Sequence, residues 1–292
     1  MPDDAIDLRP FARRVYSESG EDGILEKIFE LVEVDSGHFV EFGAWDGRRL
    51  SNTRLLAERG WSGMLIEADA AKFKELTRNV RGERIKLVHA EVALKGDDML
   101  DAILERSGCP ERFDLLSIDV DSDDLGIWMT LKRHRPTCVV IEFNITIPFD
   151  IDFINPPGRA WGNSARTIER VARAKGYRLV AMIGMNLIFV EAGACARANL
   201  KTVELDAGAL DAGQRLFWGY DGTLIRWHAS GWDAPEFLDV PFHSYLFPQP
   251  MPRALRRWRL GDERRGRERF VSGVFAFLLR PISYLRARLT RR

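Results

Sequence analysis

The stretch His38-Phe39-Val40-Glu41-Phe42-Gly43-Ala44-Trp45-Asp46-Gly47 constrains the fold more than any other part of the chain. It reads as a short apolar strand that carries an acid and breaks into a glycine turn. Gly43 and Gly47 let the backbone turn sharply and approach a ligand closely. A helical pattern over 53–59 follows, with Ser51 or Asn52 placed to cap it. A second apolar run over 63–66 then delivers Glu67, 20 residues after Gly47. A nucleotide-binding βαβ unit puts its ribose-binding acid at about that distance.

The turn also narrows the ligand. A dinucleotide fingerprint, G-x-G-x-x-G, offers backbone amides to a pyrophosphate. Here the first glycine pair is missing and the turn carries Glu41 and Asp46. Two carboxylates repel a pyrophosphate but suit an ammonium or sulfonium, because opposite charges at close range favour each other. S-adenosylmethionine carries both cations and no phosphate.

Alternating strand and helix patterns continue downstream. Strands are predicted over 38–42, 63–67, 85–90, 114–119 and 137–143, with helices over 21–34, 53–59, 70–80, 97–106, 123–133 and 164–175. Residues 177–183 and 186–190 are close enough to form a hairpin. The pattern implies an α/β fold: a mainly parallel sheet covered by helices on both faces, with a terminal antiparallel hairpin. Ser19 stands three residues before Asp22 as a capping pair for the first helix.

Four segments together carry a family resemblance. They are Glu41-Phe42-Gly43-Ala44-Trp45-Asp46-Gly47, Ser51-Asn52-Thr53, Gly60-Trp61-Ser62-Gly63-Met64-Leu65-Ile66-Glu67 and Asp114-Leu115-Leu116-Ser117-Ile118-Asp119-Val120-Asp121. With Tyr16-Ser17-Glu18-Ser19-Gly20-Glu21-Asp22-Gly23 upstream, the chain resembles the FkbM-type methyltransferases over roughly residues 16–191. The resemblance implies a Rossmann-like class I methyltransferase fold and S-adenosylmethionine as cofactor, without fixing the acceptor. It places Glu67 on the ribose hydroxyls and the Gly43–Gly47 turn, with Glu41, Ala44 and Asp46, beside the methionine part. Glu91 falls near the adenine, or else faces solvent. Members often read Asp-x-Glu-Gly where this chain has Asp119-Val120-Asp121-Ser122, which keeps the charge and shortens the reach.

Ligands of such sheets bind at the carboxyl ends of the strands. Asp119, Asp121 and Glu142, with Asn144, gather there. Asp119 also counts among the cofactor-binding candidates. These residues either take a proton from an acceptor hydroxyl or hold a divalent metal through oxygen ligands. A plainer role for Asp121 or Asp123 is to cap the helix that follows. The five histidines form no site by their spacing.

Three divisions are expected: a cofactor-binding domain over 1–191, an aromatic-rich accessory region over 192–252 and a basic tail over 253–292. Net charge is zero, yet the tail holds thirteen arginines against three acids, so the first 252 residues are acidic. Phe270 to Leu279 is a run of about ten mostly apolar residues, too short to span a bilayer, which needs about twenty. Flanked by arginines, it suits peripheral contact with an inner-membrane surface. No module for nucleic acid accompanies it. Residues 145–163, rich in Pro, Gly and aromatics, are placed to form a lid or substrate wall. Cys109, Cys138 and Cys195 lack metal-like spacing and read as reduced, buried thiols. Met1-Pro2-Asp3-Asp4 is acidic with no long apolar run behind it, so a cytoplasmic location is expected. The expected activity is O-methylation of a sugar, polysaccharide precursor or lipid-linked glycan. The alternative is an inactive cofactor-pocket protein acting as a membrane-associated scaffold. The acceptor is a small molecule or glycan; the oligomeric state is not legible.

Overall fold

A computed structural model describes residues 5–145, 147, 149, 152–156, 159–205, 214–218, 224–228 and 274. Apart from Val274, the basic tail and its apolar run lie outside the described residues, as do most of the accessory region and the expected membrane contact. Among the described residues no helix is long and apolar enough to cross a membrane.

The chain divides into two units. One comprises Met1–Asn144 and Asp152–Leu205, the other Ile145–Ile151 and Asp206–Arg292. In the second, β8 (Gln214–Trp218) and β9 (Leu224–His228) form an antiparallel hairpin.

The first unit holds a seven-stranded sheet. Its strands are β1 (His38–Phe42), β2 (Ser62–Glu67), β3 (Ile85–His89), β4 (Arg112–Ile118), β5 (Arg135–Glu142), β6 (Tyr177–Ile183) and β7 (Asn186–Glu191). Their order is β3-β2-β1-β4-β5-β7-β6. The first five run parallel, while β7 pairs antiparallel with both β5 and β6. This is the Rossmann-like class I methyltransferase arrangement. The order reverses between β1 and β4, which opens a crevice at their carboxyl ends.

Helices connect these strands: α1 (Glu21–Leu31), α2 (Arg54–Glu58), α3 (Ala70–Asn79), α4 (Leu100–Arg106), α5 (Asp124–Thr130), α6 (Ala165–Ala174) and α7 (Ala192–Arg197). The central strands are buried on both faces, as parallel strands between helix layers must be. Ile24, Leu25, Ile28 and Phe29 of α1 pack with Phe39, Leu65, Leu115, Val140 and Ile188 on one face. On the other, Trp128 of α5 meets Tyr177 and Phe189 at ring separations of 5.6 and 5.7 Å. The three cysteines are free and buried.

The first unit runs past Glu191 to Leu205. Ala192 N donates to Gly176 O, Val203 N donates to Leu179 O, and Ile6 bridges Leu200. Helix starts also differ from expectation. Ser19 does not cap α1: the N-cap is Gly20, at φ +118°, and Ser19 N instead donates to Glu21 Oε2.

Candidate functional site

β1 stops at Phe42 because Gly43 turns left-handed, at φ +77°. Gly43 N and Ala44 N both donate to Ile66 O, tying the turn to β2. A Cβ on Gly43 would stand 1.7 Å from the carbonyl oxygen of Asp119, so the small residue is needed for the chain's own crossing. Trp45 is also left-handed, at φ +44°. Its N–H donates to Glu67 Oε2 at 2.8 Å, and Asp69 N–H donates to Glu67 Oε1 at 2.8 Å. Each oxygen of this buried carboxylate is thus fixed by one backbone donor. A carboxylate oxygen accepts more than one hydrogen bond, so capacity for two hydroxyl donors remains.

Glu41 is buried as well. Ser51 Oγ and Thr53 Oγ1 donate to its Oε2 at 2.8 and 2.6 Å, and Asn52 N donates to its Oε1 at 3.0 Å. Burial raises its carboxyl above the ordinary range, and these bonds partly oppose the rise. Glu41 thereby orders the loop leading into α2, where Ser51 Oγ accepts from Arg54 N. Asp46 turns away to accept from Arg48 N and Arg49 N at 2.9 and 2.8 Å. A Cβ on Gly47 would meet Leu76 and Val80 at 2.6 and 2.8 Å, so this glycine serves the packing of α3.

The ends of β4 and β5 bring Asp119 and Glu142 together. One carboxyl oxygen from each, with one from Asp121, lie within 4.8 Å of one another. Asp119 and Asp121 are open to solvent at the cavity. Crowding by the surrounding protein, then the charges of Asp121 and Asp124, still raise the Asp119 carboxyl. Glu142 is raised by burial and then by Asp119 and Asp121. Like charges this close oppose each other's ionisation, which favours protonation of one member of the pair. The three carboxylates form a hard, all-oxygen donor set of the kind Mg²⁺ or Ca²⁺ prefers.

Asp121 and Asp123 do not cap α5 by their side chains, a correction to the capping expectation. Asp123 occupies the N-cap position with no side-chain cap. Its Oδ1 accepts from Asn155 Nδ2 at 2.8 Å. Buried Asp124 orders the turn instead, accepting from Val120 N and Ser122 N at 2.8 and 2.9 Å. Asp121 is left in the left-handed region at φ +59°. Asn144 Nδ2 donates to Trp161 O at 2.7 Å.

These ends surround a cavity of about 550 Å³. Glu41, Gly43, Ala44, Glu67, Glu91, Asp119, Asp121 and Glu142 line it, whereas Asp46 and Gly47 do not. No lining residue comes from 153–163 among the described residues. Sequence reading missed Glu18, Trp45, Arg49, Asn52, Asp69, Lys72 and Met185, all of which line the cavity. The segment around Glu18 was visible as a motif, but nothing local says that it reaches the strand ends. Nine carboxylates line the cavity against two cations, Arg49 and Lys72. Both cations lie over the Trp45 ring, at 5.1 and 5.2 Å from its centre.

No family model and no curated protein matches the chain. Solved structures with similar traces include a putative O-methyltransferase from Klebsiella pneumoniae, at 16% identity, covering 57% of this chain and 77% of its own, with a TM-score of 0.40. SAM-bound CalS10, an amino pentose methyltransferase from Micromonospora echinaspora, aligns at 10% identity over 59% of this chain and 89% of its own, with a TM-score of 0.39. A TehB-like SAM-dependent methyltransferase from Corynebacterium glutamicum aligns at 13% identity over 56% and 87%, with a TM-score of 0.35. At such identities and scores the likeness concerns the chain trace and carries no further argument.

Proposed function

We propose that the chain is an S-adenosylmethionine-dependent methyltransferase of the FkbM type. Its acceptor is an oxygen of a sugar, polysaccharide precursor or lipid-linked glycan. The observation that carries the reading is the charge of the cavity around an anchored Glu67: nine carboxylates against two cations. Such a wall repels the pyrophosphate of a dinucleotide and attracts a sulfonium and an ammonium.

S-adenosylmethionine supplies an activated methyl carbon on a positively charged sulfur. Glu67 receives the ribose hydroxyls on the lone pairs that Trp45 N and Asp69 N leave open. The Gly43–Ala44 turn forms the wall beside the methionine part. With S-adenosylmethionine bound to supply the methyl group, the Asp119–Glu142 pair would take the hydroxyl proton of the acceptor. A positioned base of this kind contributes about 10²–10⁴-fold, and the remainder comes from holding the two reactants in line.

Calorimetric titration with S-adenosylhomocysteine tests the cofactor half of the reading. Transfer of a labelled methyl group to a glycan panel tests the chemistry. A protein that binds neither S-adenosylmethionine nor its demethylated product contradicts the reading outright. One that binds but transfers to no acceptor is a cofactor-pocket protein without turnover.

A further inference from the structure

Arg49 is held in the cavity by a loop that is pinned on both sides of it. Before it, Asp46 Oδ1 accepts from Arg48 N and Arg49 N at 2.9 and 2.8 Å, and Asn79 Nδ2 of α3 donates to Asp46 O at 3.0 Å. After it, buried Glu41 accepts from Asn52 N and from the hydroxyls of Ser51 and Thr53. Between these anchors, Trp45 and Leu50 take left-handed conformations, at φ +44° and +56°. A bulky residue keeps such a backbone only where its surroundings over-determine it.

The Arg49 side chain is placed as well as its backbone. Its guanidinium stands 5.1 Å from the centre of the Trp45 ring. That contact is a cation–π attraction, which fixes the group without using its N–H donors. The planar fork matches a carboxylate through two parallel hydrogen bonds. Among the described residues Arg49 forms no ion pair, so no acid of the chain fills the fork. Lys72 also lies over Trp45, at 5.2 Å, but it has an acid of its own. Its backbone N–H and that of Ala71, and then its charge, lower the carboxyl of the helix cap Asp69.

S-adenosylmethionine presents one anionic group, the carboxylate of its methionine part. Carboxylates such as Glu67, Asp119 and Glu142 line the rest of the cavity and repel that group. Trp45 continues the Gly43–Ala44 turn, the wall beside the methionine part. We propose that Arg49 receives the cofactor's carboxylate and that Asp46 is the positioning residue that holds Arg49 there. The inference rests on the methyltransferase reading and adds a specificity determinant to its cofactor site. Asp46 thereby serves the anionic end of the methionine part, through an arginine, rather than its cations.

The test titrates the full-length protein by calorimetry with three compounds. S-adenosylhomocysteine is complete, S-adenosyl-3-thiopropylamine lacks only the carboxylate, and 5′-methylthioadenosine lacks the whole amino-acid part. Wild type should bind the first at least about tenfold tighter than the second. Arg49→Gln should bring these two within about twofold of each other, while 5′-methylthioadenosine affinity stays within about twofold of wild type. Lys72→Gln should keep the preference. Asp46→Ala should reduce it, and Asp46→Asn, which retains the Oδ1 acceptor, should restore it. Equal wild-type affinity for the first two compounds overturns the proposal. So does a preference that survives Arg49→Gln, or one that Lys72→Gln abolishes in its place. An undiminished preference in Asp46→Ala removes the positioning role. Wild type that binds none of the three compounds strikes the methyltransferase reading instead.

Discussion

Gly43 leaves room for the carbonyl oxygen of Asp119: a Cβ at residue 43 would stand 1.7 Å from it. The β1 turn and the end of β4 therefore pass at backbone contact. The same closeness brings the Gly43–Ala44 turn alongside the carboxylate pair, because Asp119 supplies both the carbonyl and one of the acids.

Gly43→Ala is expected to damage stability and binding together. The left-handed backbone alone costs roughly 1–2 kcal/mol for a residue with a Cβ. The obstacle is backbone, which cannot rotate aside, so the total should be larger. Thermal melting and S-adenosylhomocysteine titration of the variant check this. A melting point equal to wild type would show that the two segments are not held so close.

Glu67→Ala removes a buried acceptor and leaves the amides of Trp45 and Asp69 without their partner. A hydrogen bond to a charged group contributes about 1.5–3 kcal/mol. S-adenosylhomocysteine affinity should fall by about tenfold to about 150-fold. Unchanged affinity in calorimetry would remove Glu67 from the ribose.

The carboxylate pair gives opposite pH dependences for activity and stability. As a proton acceptor it must be free to take a proton, so transfer should rise with pH as the pair is deprotonated. Both groups are raised in the folded state. The unfolded chain therefore ionises them first, at about pH 4. Their stabilising contribution is complete below that point and is lost as pH rises through the folded values. Between about pH 5 and about pH 9, wild type should lose more thermal stability than Asp119→Asn, which should itself lose most transfer. Near wild-type turnover in Asp119→Asn would take Asp119 out of the chemistry. Chelation followed by Mg²⁺ readdition to a working assay separates a cluster that holds an ion from one that holds a proton.

Asp22→Ala should unclamp the segment that carries Glu18. Three backbone N–H groups and the Ser17 hydroxyl lose their common acceptor. The expected loss is on the order of 3 kcal/mol, read from urea unfolding. Stability within about 0.5 kcal/mol of wild type would show that water replaces the carboxylate at little cost.

The sequence by itself determined most of the elements. β1 and β6 fall at 38–42 and 177–183 as expected, because apolar runs and glycine breaks are local signals. It also marked Glu67, because one βαβ unit fixes the distance between a turn and the next strand end. Tertiary structure decided which acids meet. Asp119 and Glu142 become neighbours through the parallel pairing of β4 with β5, between segments about twenty residues apart in sequence. Asp46 and Gly47, within the same motif as Gly43, face Arg48–Arg49 amides and α3 rather than the cavity. Asp124, not Asp121 or Asp123, orders the turn into α5. Glu18 reaches the cavity only because buried Asp22 and Glu21 fold its segment back over the sheet. Local periodicity encodes where a strand or helix runs. The direction of a polar side chain depends on which donors the rest of the chain brings within about 3 Å of it.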